Sequence, residues 1–117
     1  MVIPANDIAC LRDMLDYSCE AVGFLEGSSF EAFVQDRRTL FAVIRCIEVV
    51  GEAAGRVSPE SKRALPSIPW RNAVSMRNRL IHGYSDVDER LVYNTVTDNL
   101  PKLIAQLERV LTPPESS

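Results

Sequence analysis

Residues 36–57 read DRRTLFAVIRCIEVVGEAAGRV, and this stretch decides the fold class. Leu40, Val43, Ile44, Ile47, Val50, Gly51, Ala54 and Val57 recur at the spacing that gathers side chains on one side of an α-helix. The stripe is broad, so the predicted helix is buried against several neighbours and does not rest on a single surface. Asp36 stands where a side-chain oxygen caps the first turn, and the helix is expected to run to about Val57.

The neighbouring segments repeat the pattern. Upstream, Ile8, Leu11, Leu15, Val22 and Leu25 predict a first helix, with Asn6 or Asp7 as its cap and Gly27 as its end. A short turn around Phe30–Val34 is expected between the two. Downstream, Ser58-Pro59-Glu60 places a capping residue before a proline, which predicts one short helix to about Leu65. Pro66-Ser67-Ile68-Pro69 reads as an extended linker, because each proline disfavours helix at the residue before it. A third main helix is expected from about Trp70 to His82, stopped by Gly83. Asp86 or Asp88 would cap the last helix, with the stripe Leu91, Val92, Val96, Leu100, Leu103, Leu107 and Val110 or Leu111. Pro101 predicts a kink or short break near Asn99. Four main helices with modest connections imply an all-α, four-helix up-and-down bundle with short extra helices. It would occupy residues 1–111, with residues 112–117 as a flexible tail.

Composition narrows the functional classes. The chain of 117 residues is 46% hydrophobic and 25% charged, which suits one globular domain. Its apolar runs are far shorter than the ~18 residues of a membrane span, and residues 1–14 lack the pattern of a secretory signal. Cys10, Cys19 and Cys46 are odd in number and without ligand-like spacing, so they read as reduced thiols of a cytoplasmic protein. The net charge is −3, yet residues 53–84 hold six basic residues against Glu60 alone, a local +5 that leaves −8 for the remainder. Such a window suggests an anion site, although a solvated face has the same composition.

Chemistry gathers where that window ends, in Met76-Arg77-Asn78-Arg79-Leu80-Ile81-His82-Gly83-Tyr84. His82 is the one histidine of the chain, and imidazole moves protons near neutrality. Arg77 can hold a phosphate by two points, with Asn78 as a neutral donor beside it. A phosphate clamp with a proton shuttle suffices for RNA cleavage by attack of the ribose 2′-hydroxyl. Helical geometry separates Arg77 from His82 by about 140° at ~100° per residue. The two converge only if the helix loosens or a second chain completes the site. A two-fold dimer would also supply a second histidine. Each residue has a plainer role as well: His82 as a helix cap, Arg77 as partner to a carboxylate across the bundle, Tyr84 as an amphipathic plug. Glu48 and Glu52 resemble half of a bundle metal site, but Arg45 and Arg56 are placed to pair with them and no Glu-x-x-His accompanies them. No metal and no cofactor is expected.

Arg77, four residues, His82, one residue, Tyr84 resembles the R-x-x-x-x-H-x-Y signature of HepT-like toxins of the HEPN fold. The likeness extends to Phe33-Val34-Gln35-Asp36, Ile47-Glu48-Val49-Val50-Gly51-Glu52-Ala53-Ala54, Ile68-Pro69-Trp70-Arg71, Met76-Arg77-Asn78, Tyr84-Ser85-Asp86-Val87-Asp88 and Leu100-Pro101, roughly residues 8–110. Ser75 stands where relatives often carry glycine, and Tyr93 where they often carry tryptophan. The resemblance implies a homodimeric, metal-independent RNA endonuclease, the toxin of a type VII HEPN/MNT toxin–antitoxin system, acting on RNA such as tRNA. It implies that Arg77 and His82 are catalytic and that Asn78 supports them. It also implies that an MNT-type nucleotidyltransferase antitoxin adenylylates Tyr84. The alternative class is a non-catalytic dimeric subunit that binds a nucleotide or docks on a nucleotidyltransferase.

Overall fold

A computed structural model of the chain describes residues 2–80 and 86–112, and it is all-helical. The elements are α1 (Ala5–Leu25), α2 (Phe30–Gln35), α3 (Arg37–Arg56), α4 (Pro59–Ala64), α5 (Trp70–Leu80), α6 (Glu89–Asn94) and α7 (Leu100–Leu111). A π-helical turn, Thr95–Asn99, joins α6 to α7. The four main helices of the expected bundle are thus α1, α3, α5 and the α6–α7 pair joined through the π turn.

Helix α3 is the spine. Asp36 caps it as its position predicts, accepting Thr39 N–H at 3.2 Å and the Thr39 hydroxyl at 2.7 Å. Along its length Leu40, Val43, Ile47, Val50 and Ala54 are buried, and Cys46 and Ala53 widen the stripe. α1 packs along α3 on one side and α7 on the other, while α5 packs against α3. The α3–α5 approach is close because Gly51 lacks a side chain: a Cβ there would lie 3.5 Å from the carbonyl oxygens of Ala73 and Val74. Gly27, at φ 77°, turns the chain after α1 in the left-handed region that glycine adopts without strain.

Several local expectations need correction. The stretch around Phe30–Val34 is a helix, α2, capped by Ser29, whose hydroxyl accepts Ala32 N–H at 3.1 Å. α1 begins after Pro4 with no side-chain cap, and Asp7 is turned inward instead. Its carboxylate accepts Ser58 N–H at 3.0 Å and the hydroxyls of Ser58 and Ser61, each at 2.6 Å. Those hydroxyls, with the Ser58 N–H, hold the Asp7 carboxyl below the usual carboxylate range. This knot ties the start of α1 to the α3–α4 junction. Residues 66–69 form turns and no extended linker: Ile68 N–H reaches the Leu65 carbonyl at 3.3 Å, and Trp70 Nε1 reaches the same oxygen at 3.0 Å.

The last helix passes through a π turn just before Pro101, which supplies no N–H and whose ring crowds the preceding turn. Leu91, counted in the apolar stripe, is exposed. Tyr93 packs inward in its place, edge-on to Phe30, and donates its hydroxyl to the Ser28 carbonyl at 2.7 Å. Its side chain thereby joins α6 to the α1–α2 connection. The expected end of the third helix at His82–Gly83, and all of the tail beyond Thr112, lie outside the described residues.

Candidate functional site

Helix α5 carries Arg77 and Asn78 of the candidate site, and its burial pattern sets the direction of each side chain. Ala73, Met76 and Leu80 face the core. Their spacing fixes the rotation of the helix, so Arg77, Asn78 and Arg79 are all exposed. Trp70 pins the first turn by its indole hydrogen bond, with the Lys62 ammonium 5.8 Å from its ring centroid. Ser75 does not disturb the packing beneath, because its hydroxyl donates to the Arg71 carbonyl at 2.8 Å within the same helix.

Arg77 leans toward α3. Its Nε donates to Glu48 Oε2 at 3.2 Å, between side chains that are 47% and 28% exposed. The contact passes through Nε, and among the described residues no acceptor engages the terminal nitrogens of the guanidinium. One residue pair further along α3, Arg45 lies 3.9 Å from Glu52. The two carboxylates that resemble half of a metal site are therefore each matched to an arginine. Among the described residues, no three His, Cys, Asp or Glu side chains gather as a metal set. The expected pairing of Arg45 with this glutamate pair occurs, whereas Glu48 takes Arg77 from the neighbouring helix.

Arg79 lies on the opposite flank, two positions or about 200° further round α5 at ~100° per residue. Its Nη2 donates to the Asn72 carbonyl at 3.2 Å, which lays the side chain back along the helix. Thus the arginines at 77 and 79 serve different surfaces. His82 and Tyr84 lie outside the described residues. On either side of them, Asp88 N–H donates to the Leu80 carbonyl at 3.0 Å, and the Asp88 carboxylate caps α6 through Leu91 N–H at 3.0 Å. Leu80 is buried, and Asp88 is exposed.

Two of the three thiols are held away from the thiolate form. Burial pushes the Cys46 thiol up, and burial with the nearby Glu108 carboxylate does the same to Cys19. Two features escaped the sequence reading. One is the Asp7–Ser58–Ser61 knot, whose partners lie about fifty residues apart. The other is a groove between α5 and α7, signalled only by polar Asn99, Lys102 and Gln106 running beside the apolar Leu100, Leu103 and Leu107.

Comparison with known proteins gives the family of the chain. The family described as Ribonuclease HepT-like matches residues 10–110. A protein of Thermococcus cleftensis named probable ribonuclease HepT is 39% identical over 103 residues, covering 85% of this chain and 94% of its own. A Methanocaldococcus jannaschii protein named as a candidate RNase is 32% identical over 110 residues, covering 93% of this chain and 91% of its own. A second protein of that organism, similarly named, is 33% identical, with 93% and 95% covered. No solved structure gives a significant match.

Proposed function

Because the chain belongs to the ribonuclease HepT-like family, we propose that it cleaves RNA without a metal ion, through Arg77 and His82. The observation that carries the reading is Arg77 itself. Its guanidinium is exposed, is steadied at Nε by Glu48, and keeps its terminal nitrogens for a phosphate. His82 stands two residues past buried Leu80 in the sequence.

In the proposed step the ribose 2′-hydroxyl loses its proton to an imidazole, and O2′ attacks the adjacent phosphorus. The P–O5′ bond breaks, and the departing oxygen takes a proton from an imidazolium. The products are a 2′,3′-cyclic phosphate and a 5′-hydroxyl. Arg77 neutralises the charge that grows on the non-bridging oxygens. One chain has one histidine, so the acid and the base come from two copies in a two-fold dimer that brings residues near 70–84 of both together. Asn78, exposed beside Arg77, supports phosphate placement.

The same reading makes the chain the toxin of a HEPN/MNT toxin–antitoxin system, with tRNA as its RNA. The phenolate of Tyr84 attacks the α-phosphorus of ATP on an MNT-type nucleotidyltransferase antitoxin, and pyrophosphate leaves. Each adenylate adds a phosphodiester of about one negative charge, which occupies the basic surface where substrate phosphate would sit. Purified protein incubated with tRNA and a chelator tests the reaction: cyclic-phosphate and 5′-hydroxyl ends are expected. Products with 5′-phosphate ends, or cleavage that needs added metal, would overturn it. The Arg77–Glu48 pair also suits a non-catalytic docking subunit, in which case tRNA stays intact while the partner enzyme binds.

A further inference from the structure

α5 and α7 do not close on each other. Between them runs a groove of about 180 Å³, and its two walls are helical stripes. From α5 come Asn72, Met76 and Arg79; from α7 and the π turn before it come Asn99, Lys102 and Gln106. The apolar floor continues the core, whereas the rims carry two cations and three amides. Among the described residues, no carboxylate lines it.

Two other hollows differ in this respect. The trough between α1 and α3, about 980 Å³, is lined by Asp16 and Glu20 beside Tyr17 and Phe24. The hollow under Tyr93 and Pro101 includes Glu26. In a chain of net charge −3, a groove that no described carboxylate lines and that holds one of the two lysines is a surface matched to a polyanion. Arg79 is already laid along it by its bond to the Asn72 carbonyl, and a guanidinium with one donor engaged has others for a phosphate.

We propose that this α5–α7 groove, through Arg79 and Lys102 on phosphates and Asn72, Asn99 and Gln106 on base edges, holds the single-stranded RNA substrate away from the bond that is cut. The inference rests on the ribonuclease reading and deepens it. Its volume is below the ~300–1,000 Å³ of a site that encloses a small ligand, which suits one unit of a longer strand. Amide side chains match the donor–acceptor pairs of base edges that single strands expose. Among the described residues no aromatic ring lines the groove, so phosphate contacts dominate and binding is salt-sensitive with little sequence preference. The groove and Arg77 lie on opposite flanks of α5. In the proposed dimer the copies meet on the Arg77 flank of residues 70–84, so the groove flank stays open. A bound strand crosses the helix near Leu80, with His82 two residues further in sequence.

The test uses the full chain silenced by His82→Ala, with a fluorescein-labelled single-stranded RNA oligonucleotide read by anisotropy. Adding Lys102→Glu or Arg79→Gln should weaken binding about tenfold at low salt and lower the slope of log K against log salt by about 1. Arg12→Glu, on the exposed face of α1, makes the same charge change as Lys102→Glu outside the groove and should leave binding unchanged. Where Lys102→Glu disturbs the helical signal, Lys102→Gln decides. Groove variants that bind like the Arg12 control, while wild type still cuts tRNA, overturn the groove and leave the ribonuclease reading standing. A groove variant that loses self-association and keeps its RNA affinity would also overturn it, marking the groove as a contact between copies. If the parent binds no RNA and wild type cuts none, both fall together.

Discussion

The two flanks of α5 are built on opposite principles. Toward α3 the surfaces meet closely: Gly51 admits the backbone of Ala73 and Val74, and Arg77 is fixed to Glu48 at the rim. Toward α7 the surfaces stay apart, and polar side chains stand along an open groove. Both flanks flow from one eleven-residue helix whose anchors are Ala73, Met76 and Leu80. A helix with so narrow an apolar face packs firmly on one neighbour only, which leaves its other side free for a ligand. Rigid support on one side and access on the other is what a positioned phosphate clamp requires.

Changes at Gly51 should have the largest effect on this contrast. Gly51→Leu must push α5 off α3, and overpacking of this kind costs about 1–3 kcal/mol. Gly51→Ala should be tolerated, because its Cβ would meet the two carbonyls at an ordinary 3.5 Å. Denaturant unfolding of both variants separates the outcomes, and equal stability for the leucine variant would refute the close-approach account.

The next effect is acid sensitivity, and it bears on the far end of α3. Asp7 has its pKa held below its ordinary 3.8 by Ser58 and Ser61. A carboxyl lowered by folding contributes stability above its unfolded pKa and loses it as pH falls through the folded value. Asp7→Asn should therefore be less stable at neutral pH, and its stability should fall less on acidification than that of wild type. Unfolding curves at neutral and acid pH test this; parallel losses in both proteins would contradict it.

Smallest is the exposed Arg77–Glu48 pair, since such pairs contribute about 0.2–1 kcal/mol. Glu48→Gln should leave the melting temperature nearly unchanged and raise KM a few-fold for RNA, because Arg77 loses its brace and keeps its charge. An unchanged KM would mean that Glu48 does not position Arg77.

The sequence made the helices readable where burial follows period and local capping. The α3 stripe, the Asp36 and Ser58 caps and the turn at Gly27 are all written within a few residues. Asp7 misled because a capping residue type near a helix start is ambiguous until its partner is known, and Ser58 is distant in sequence. Leu91 misled because apolar character does not ensure burial, as its exposure beside inward-facing Tyr93 shows. At the site, Arg77 and its signature were legible, and its pairing with a carboxylate across the bundle was an open alternative. Which glutamate it meets depends on the rotation of α5 against α3. The groove was invisible because polar residues at 99, 102 and 106 read equally well as a solvated face.

The central claim is that Arg77 and His82 together cut RNA. Single-turnover cleavage of tRNA in excess chelator, with wild type beside His82→Ala and Arg77→Ala, tests it most directly. The account predicts cyclic-phosphate ends from wild type and a loss of ~10²–10⁴ in rate for each variant, with the helical signal intact. Cleavage by the His82 variant at the wild-type rate would contradict it.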